Sequence, residues 1–171
     1  KIILVITSKI FLKGFLLGGI EFLKPIQINE EEFDWAQNIE VPLPYEIHGH
    51  CSFSYGNHIY IFGGADDKGT LHSTYLHFDV LKAKIIEKFS LSAPRRICAS
   101  VICRGNIGYI FGGLNGENEP TNTIISFNTS TVRLPLILID NFHFEQILPR
   151  GNIPSPRYGH TAISYKKKMY I

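Results

Sequence analysis

Neither basic nor acidic residues are in marked excess in this chain: 17 Lys and Arg stand against 15 Asp and Glu in 171 residues, a formal balance of +2. Without a basic excess there is no electrostatic footprint for a nucleic-acid backbone, so no nucleic-acid partner is expected. The tight basic run, Lys166-Lys167-Lys168, falls where a hairpin turn is expected and reads as solvated. Cysteine is scarce. Cys51, Cys98 and Cys103 are an odd set with no Cys-x-x-Cys spacing, which argues against a disulfide framework or a zinc site and favours buried thiols in a reducing, cytoplasmic setting. Nor is there a long charge-free apolar run. The segment from Ile2 to Phe22 has the length of a membrane span, but Lys9, Lys13 and Glu21 interrupt it. Each central lysine costs about 2.5 to 3.5 kcal/mol on an insertion scale, so no membrane association is expected.

What is present is repetition. Tyr60-Ile61-Phe62-Gly63-Gly64 returns 49 residues later as Tyr109-Ile110-Phe111-Gly112-Gly113. Side chains alternate along a strand, so Ile61 and Phe62 point to opposite faces and both faces must be covered; the motif reads as an interior strand. Its two glycines permit positive φ, or let another backbone approach where a Cβ would clash. Other landmarks keep the offset: Gly56-Asn57 with Gly105-Asn106, Phe78-Asp79 with Phe127-Asn128, and Ile85 with Leu134. A third copy begins at Pro156-Arg157-Tyr158-Gly159-His160 and runs to Met169-Tyr170-Ile171.

Each copy reads as four antiparallel strands. In the first, Cys51 to Tyr55 and His58 to Phe62 form a hairpin, Ala65 to Leu71 is a polar loop, and Ser73 to Val80 and Lys84 to Phe89 complete the unit. In the second the expected strands are Ile97 to Cys103, Ile107 to Phe111, Thr123 to Asn128 and Val132 to Leu138, with extra residues between Ile139 and Pro154 before the next unit. That insertion is either part of a binding face or a lid on its own unit. Phe15-Leu16-Leu17-Gly18-Gly19 reads as a degenerate earlier copy closed by Trp35, the alternative for residues 1–23 being a targeting segment. Four strands in about 45 to 50 residues is the size of a propeller blade.

With the diglycine strand, the later Phe-Asp and the Pro-Ser-Pro-Arg-Tyr-Gly-His of residues 154–160, the chain resembles the kelch repeat family of β-propellers. The resemblance implies an all-β fold: a kelch-type propeller fragment of four-stranded antiparallel blades. The expected units are a degenerate or partial blade over 1–47, a kelch blade over 48–93, another with a long inter-blade insertion over 94–153, and the opening hairpin of a further blade over 154–171. Propellers close with four to eight blades, so further blades outside this chain are expected. There are departures. Ile85 and Leu134 stand where the family carries tryptophan, Glu46-Ile47 stand where it has Pro-Arg, and Pro94-Arg95-Arg96-Ile97-Cys98 sits one residue out of register with the Pro-Arg-x-Gly-His lead-in.

Antiparallel strands send alternate loops to opposite ends of a sheet, so the loop after the glycines and the connection between blades share one end. The candidate partner-binding residues there are Asp66, Asp67, Arg95, Arg96, Asn115, Glu117, Asn118 and Arg150. The resemblance implies a protein or peptide partner, for which an arginine fork suits a carboxylate. Gly63, Gly64, Gly112, Gly113, Tyr60, Tyr109, Arg157, Gly159 and His160 read as structural repeat positions. The resulting expectation is a non-catalytic interaction module, a scaffold or substrate-recognition face, without a cofactor or metal. The alternative is part of a propeller enzyme of the galactose-oxidase or sugar-epimerase type, for which His48, His50 and His160 would be the ligand candidates.

Overall fold

The computed structural model describes residues 19–23, 37–43, 45–90, 94–129, 132–134, 137–139 and 144–171; the regular structure among them is strand, with no helix. A hairpin of β1 (Gly19–Leu23) and β2 (Gln37–Pro42) precedes two larger sheets. The first is a meander of β3 (Cys51–Tyr55), β4 (His58–Phe62), β5 (Thr74–Asp79) and β6 (Lys84–Ser90), antiparallel throughout. The second contains β7 (Ser100–Arg104), β8 (Ile107–Phe111) and β9 (Ile124–Asn128). After a separate small hairpin of β10 (Val132–Leu134) and β11 (Ile137–Ile139), β12 (Phe144–Ile147) returns to close that sheet against β9. A last hairpin joins β13 (Ile163–Tyr165) to β14 (Lys168–Tyr170).

Turn chemistry sets the registers. Gly56 and Gly105 adopt φ of 59° and 61° as the first central residues of two-residue turns between β3 and β4 and between β7 and β8. A glycine in that place gives a turn whose twist matches the strands it joins. In the last hairpin Lys166 and Lys167 both hold positive φ, 44° and 64°, so the first two residues of the basic run are the turn and Lys168 begins β14.

The core lies between the sheets. Cys51, Phe53, Tyr60, Phe62 and Tyr75 form one face of the first sheet and pack on Ile110, Ile125 and Phe127 of the second, with Ala99, Val101, Cys103 and Phe144 at the margin. The opposite face of the first sheet, Ile59, Ile61, Leu76 and Phe78, is covered by Ile47 and partly by Leu43 and Tyr45. Ile61 and Phe62 are both buried on opposite faces, as alternation in an interior strand requires. These are antiparallel four-stranded blades of the propeller type.

Two readings of the sequence need correction. The closing strand of the second sheet is Phe144–Ile147, not Val132 to Leu138. Phe144 opposes Phe127 as Ile85 opposes Phe78, so Phe144, not Leu134, is the counterpart of Ile85. Both segments are apolar enough to be strands; Phe144 wins because its ring meets Phe62, Tyr75 and Phe127 in the core. The extra residues therefore precede the closing strand and do not lie between blades. Of the degenerate earlier copy, Phe15 to Gly18 and Trp35 lie outside the described residues; Gly19 pairs with Pro42 in the β1–β2 ladder.

Candidate functional site

The diglycine end of the two sheets is knit by backbone. Gly63 and Gly64 hold φ of 66° and 93°, Gly112 and Gly113 hold 68° and 85°, a region that side chains rarely adopt. A Cβ would also have no room: on Gly63 it would run into the Arg96 carbonyl, on Gly64 it would stand 2.7 Å from the His48 carbonyl, and on Gly112 it would stand 2.6 Å from that of Arg157. The close approach is used. The Gly64 N–H donates to the Arg96 carbonyl (2.8 Å) and the Gly113 N–H to the Arg157 carbonyl (2.9 Å), so each blade is tied to the lead-in of the next. His48 and Ala65 exchange two bonds of 2.9 Å. Ile97 and Leu114 exchange two in the second unit, of 3.2 and 2.9 Å.

These bonds also settle the lead-in register. The Cys98 N–H donates to the Gly49 carbonyl and the Gly159 N–H to the Cys98 carbonyl. All three residues hold left-handed φ, 64° at Gly49, 54° at Cys98 and 66° at Gly159. Cys98 thus occupies a glycine position, Arg96 stands with Arg157, and Ala99 stands with His160; the displaced element is Pro94-Arg95, one residue early.

Two of the candidate binding residues build their loops. Asp66 Oδ1 accepts the N–H of Lys68 (3.0 Å) and of Thr70 (2.7 Å), and Asn115 Oδ1 accepts those of Glu117 and Glu119, both at 2.9 Å. An Asx side chain closing its own loop leaves the loop shape fixed. The Thr70 N–H, followed by the other loop donors and His72, holds the Asp66 carboxyl below the usual range; His72 Nε2 stands 3.7 Å from its second oxygen. Asp67, Glu117 and Asn118 are exposed on these fixed loops, Asn118 with a φ of 62°.

The arginines divide. Arg96 is buried, at 8% exposure, and its guanidinium bonds within its own unit: Nη1 donates to the Arg95 carbonyl (2.8 Å) and Nη2 to Thr123 Oγ1 (2.9 Å), while Nε has no partner among the described residues. Burial lowers its pKa from the ordinary guanidinium value. Arg95 is exposed and its stem passes Gly116, whose Cβ would lie 3.9 Å from Arg95 Cδ. Arg150 is exposed beyond β12 at the same end, because Ile147, Ile124 and Phe111 are aligned across that end. Arg157 folds back on Ser155. The arrangement brings Arg95 to the 115–119 loop, whereas the Arg96 side chain is spent inside its own blade.

The histidines and tyrosines of the repeat are mostly packed. Tyr60 is buried and stacks on Phe53 and His77; Tyr109 is half-buried beside Ile107, Ser126 and Leu148. Burial, then His48, lowers the pKa of His50; burial, then Arg157, lowers that of His160. His160 Nε2 is 2.7 Å from the buried Ser100 Oγ. Among the described residues no group of three His, Cys, Asp or Glu could hold a metal ion. His72 and Thr121, unremarked in the sequence, donate their N–H to the carbonyls of Gly64 and Gly113; they too keep the 49-residue offset, which was the available signal.

Comparison with known proteins agrees with this architecture. Residues 49–171 match the KLHDC2/KLHL20/DRC7 Kelch-repeats domain family. The chain is 29% identical over 136 residues to the Saccharomyces cerevisiae Kelch repeat-containing protein 2, covering 72% of the chain and 14% of that protein. It is 28% identical over 137 residues to the Caenorhabditis elegans Host cell factor homolog hcf-1, covering 75% of the chain and 17% of that relative. The chain thus spans less than a fifth of the length of these relatives.

Proposed function

The chain belongs to the kelch-repeat family, and from that premise we propose that the diglycine end of its sheets is a non-catalytic recognition face for a protein or peptide partner, within a scaffold or substrate-recognition protein. Interaction with proteins is the general business of such domains. The observation that carries the finer reading is the contrast between fixed frame and free side chains. Asp66, Asn115 and Arg96 are consumed in holding loops and blades, while Asp67, Arg95, Glu117, Asn118 and Arg150 are exposed on that frame. A preformed surface loses little conformational entropy on binding. Its mixed charge selects partners by pattern, with the arginines receiving carboxylates.

Capture of partners by the full-length protein, compared with Arg95→Ala plus Arg150→Ala, tests the reading. Loss of such anchors weakens affinity about tenfold or more, and added salt should reduce the remaining difference because the groups are exposed. Unchanged affinity for every partner captured would reject these residues as the recognition face.

A further inference from the structure

Ser155 is the one Ser or Thr in the 171 residues that is followed by proline. It lies in a stretch, residues 152–158, without regular structure, and every residue from Arg150 to Pro156 is exposed. Pro156 biases Ser155 away from helical backbone and toward extended conformation, and contributes no N–H that an apolar enzyme cleft would have to satisfy. The stretch is held at its two ends: Asn122 Nδ2 donates to the Pro154 carbonyl (3.2 Å), and the Arg157 N–H donates to the Thr121 carbonyl (3.2 Å). Between these anchors the Arg157 guanidinium is turned onto Ser155, with Nε donating to its carbonyl and Nη2 to its hydroxyl, both at 3.1 Å.

We propose that Ser155 is a phosphoacceptor for a proline-directed protein kinase, and that Arg157 clamps the phosphate once it is installed. In the transfer, Ser155 Oγ forms a bond to the γ-phosphorus of a nucleoside triphosphate as the bond to the bridging oxygen breaks; the hydroxyl proton passes to the kinase's carboxylate base and the nucleoside diphosphate leaves. The product carries about −1.5 to −2 charge and three acceptor oxygens. A guanidinium already resting at the acceptor atom meets them with its planar fork, at little cost in side-chain ordering. The new charge lies at the same end as Arg95 and Arg150, so it competes with an acidic partner for those cations; that consequence alone rests on the recognition-face reading.

The folded chain is incubated with a proline-directed kinase and nucleoside triphosphate, and the phosphate is mapped by fragment mass spectrometry. One phosphate is expected, on Ser155, and none in Ser155→Ala or Pro156→Ala. Phosphate on Ser155 of the denatured chain but not of the folded chain would overturn the site. The clamp is read by phosphorus NMR titration. An unclamped phosphoserine has its second pKa near about 6; in the folded chain it should fall by several tenths of a unit, return in Arg157→Gln and stay partly lowered in Arg157→Lys. Identical titration in the folded and denatured chains would remove Arg157 from the proposal, whether or not the glutamine variant folds.

Discussion

Single residues decide how closely the blades approach. Gly108 lies in β8, facing the first sheet, and a Cβ there would stand 2.5 Å from Phe53 Cε1 and 2.7 Å from its Cζ. Its counterpart in the first sheet is Ile59, which packs in the other core cluster. Gly108→Ala should therefore destabilise the chain by about 1 to 3 kcal/mol through overpacking, seen as a lower denaturant midpoint, and Phe53→Leu in the same chain should recover part of it. Cys98 offers the reverse case. A non-glycine residue in left-handed backbone costs about 1 to 2 kcal/mol, against about 0.5 to 1 for the entropy of a glycine, so Cys98→Gly should be neutral or stabilising by up to about 1.5 kcal/mol; a clear loss would mean that the thiol packs for a purpose. Neither position was legible. The glycine of a strand interior shows its reason only when the neighbouring ring is placed, and a cysteine in a glycine position breaks the motif that would have located it. The paired glycines were legible because they recur, and a repeat reports backbone geometry twice.

At the level of elements, the sequence was clear wherever two units kept the same spacing and unclear where one departed. The hairpins, the diglycine strands and the third strands follow from turn residues and alternation, and the loops from their polar composition. The closing strand of the second sheet did not, because Val132 to Leu138 is the more apolar of the two segments and keeps the spacing of the first unit, and loop closure tolerates the longer excursion at little extra cost. Nor could the sequence tell Asp66, Asn115 and Arg96, which have exposed-type side chains but internal duties, from Asp67 and Arg95, which are free. The choice of Phe144 is testable. It is half-buried against Phe62, Tyr75 and Phe127, so Phe144→Ala should cost about 2 kcal/mol, somewhat under the range for a fully buried ring. Amide exchange should show the loss concentrated in β9 and β12, since those strands bond directly. A change of a few tenths would indicate that the sheet is closed by something other than Phe144.

Across the whole molecule, the lead-ins run as a belt from Gly49 through Cys98 to Gly159, and histidines flank it at His50 and His160. Both have pKa values lowered from the ordinary 6.5, chiefly by burial, and Nδ1 of His50 has no partner among the described residues. The sign follows from the proton count. Below 6.5 the unfolded chain binds protons that the folded chain resists, so the unfolded state gains and stability falls as the pH drops. Acidic groups act elsewhere on the scale: the carboxyls of Asp66 and Asp79 are lowered from 3.8, by the Thr70 N–H and by Lys82 respectively, so their contribution is present above 3.8 and is lost only as the pH falls below it. Between about pH 7.5 and about pH 5 the change in unfolding temperature is thus assigned to histidine. The chain should melt at progressively lower temperature across that window, and His50→Gln with His160→Gln should flatten the slope even if it lowers the plateau. A slope equal in the two proteins would place the proton uptake on other histidines and sever the belt from the pH response.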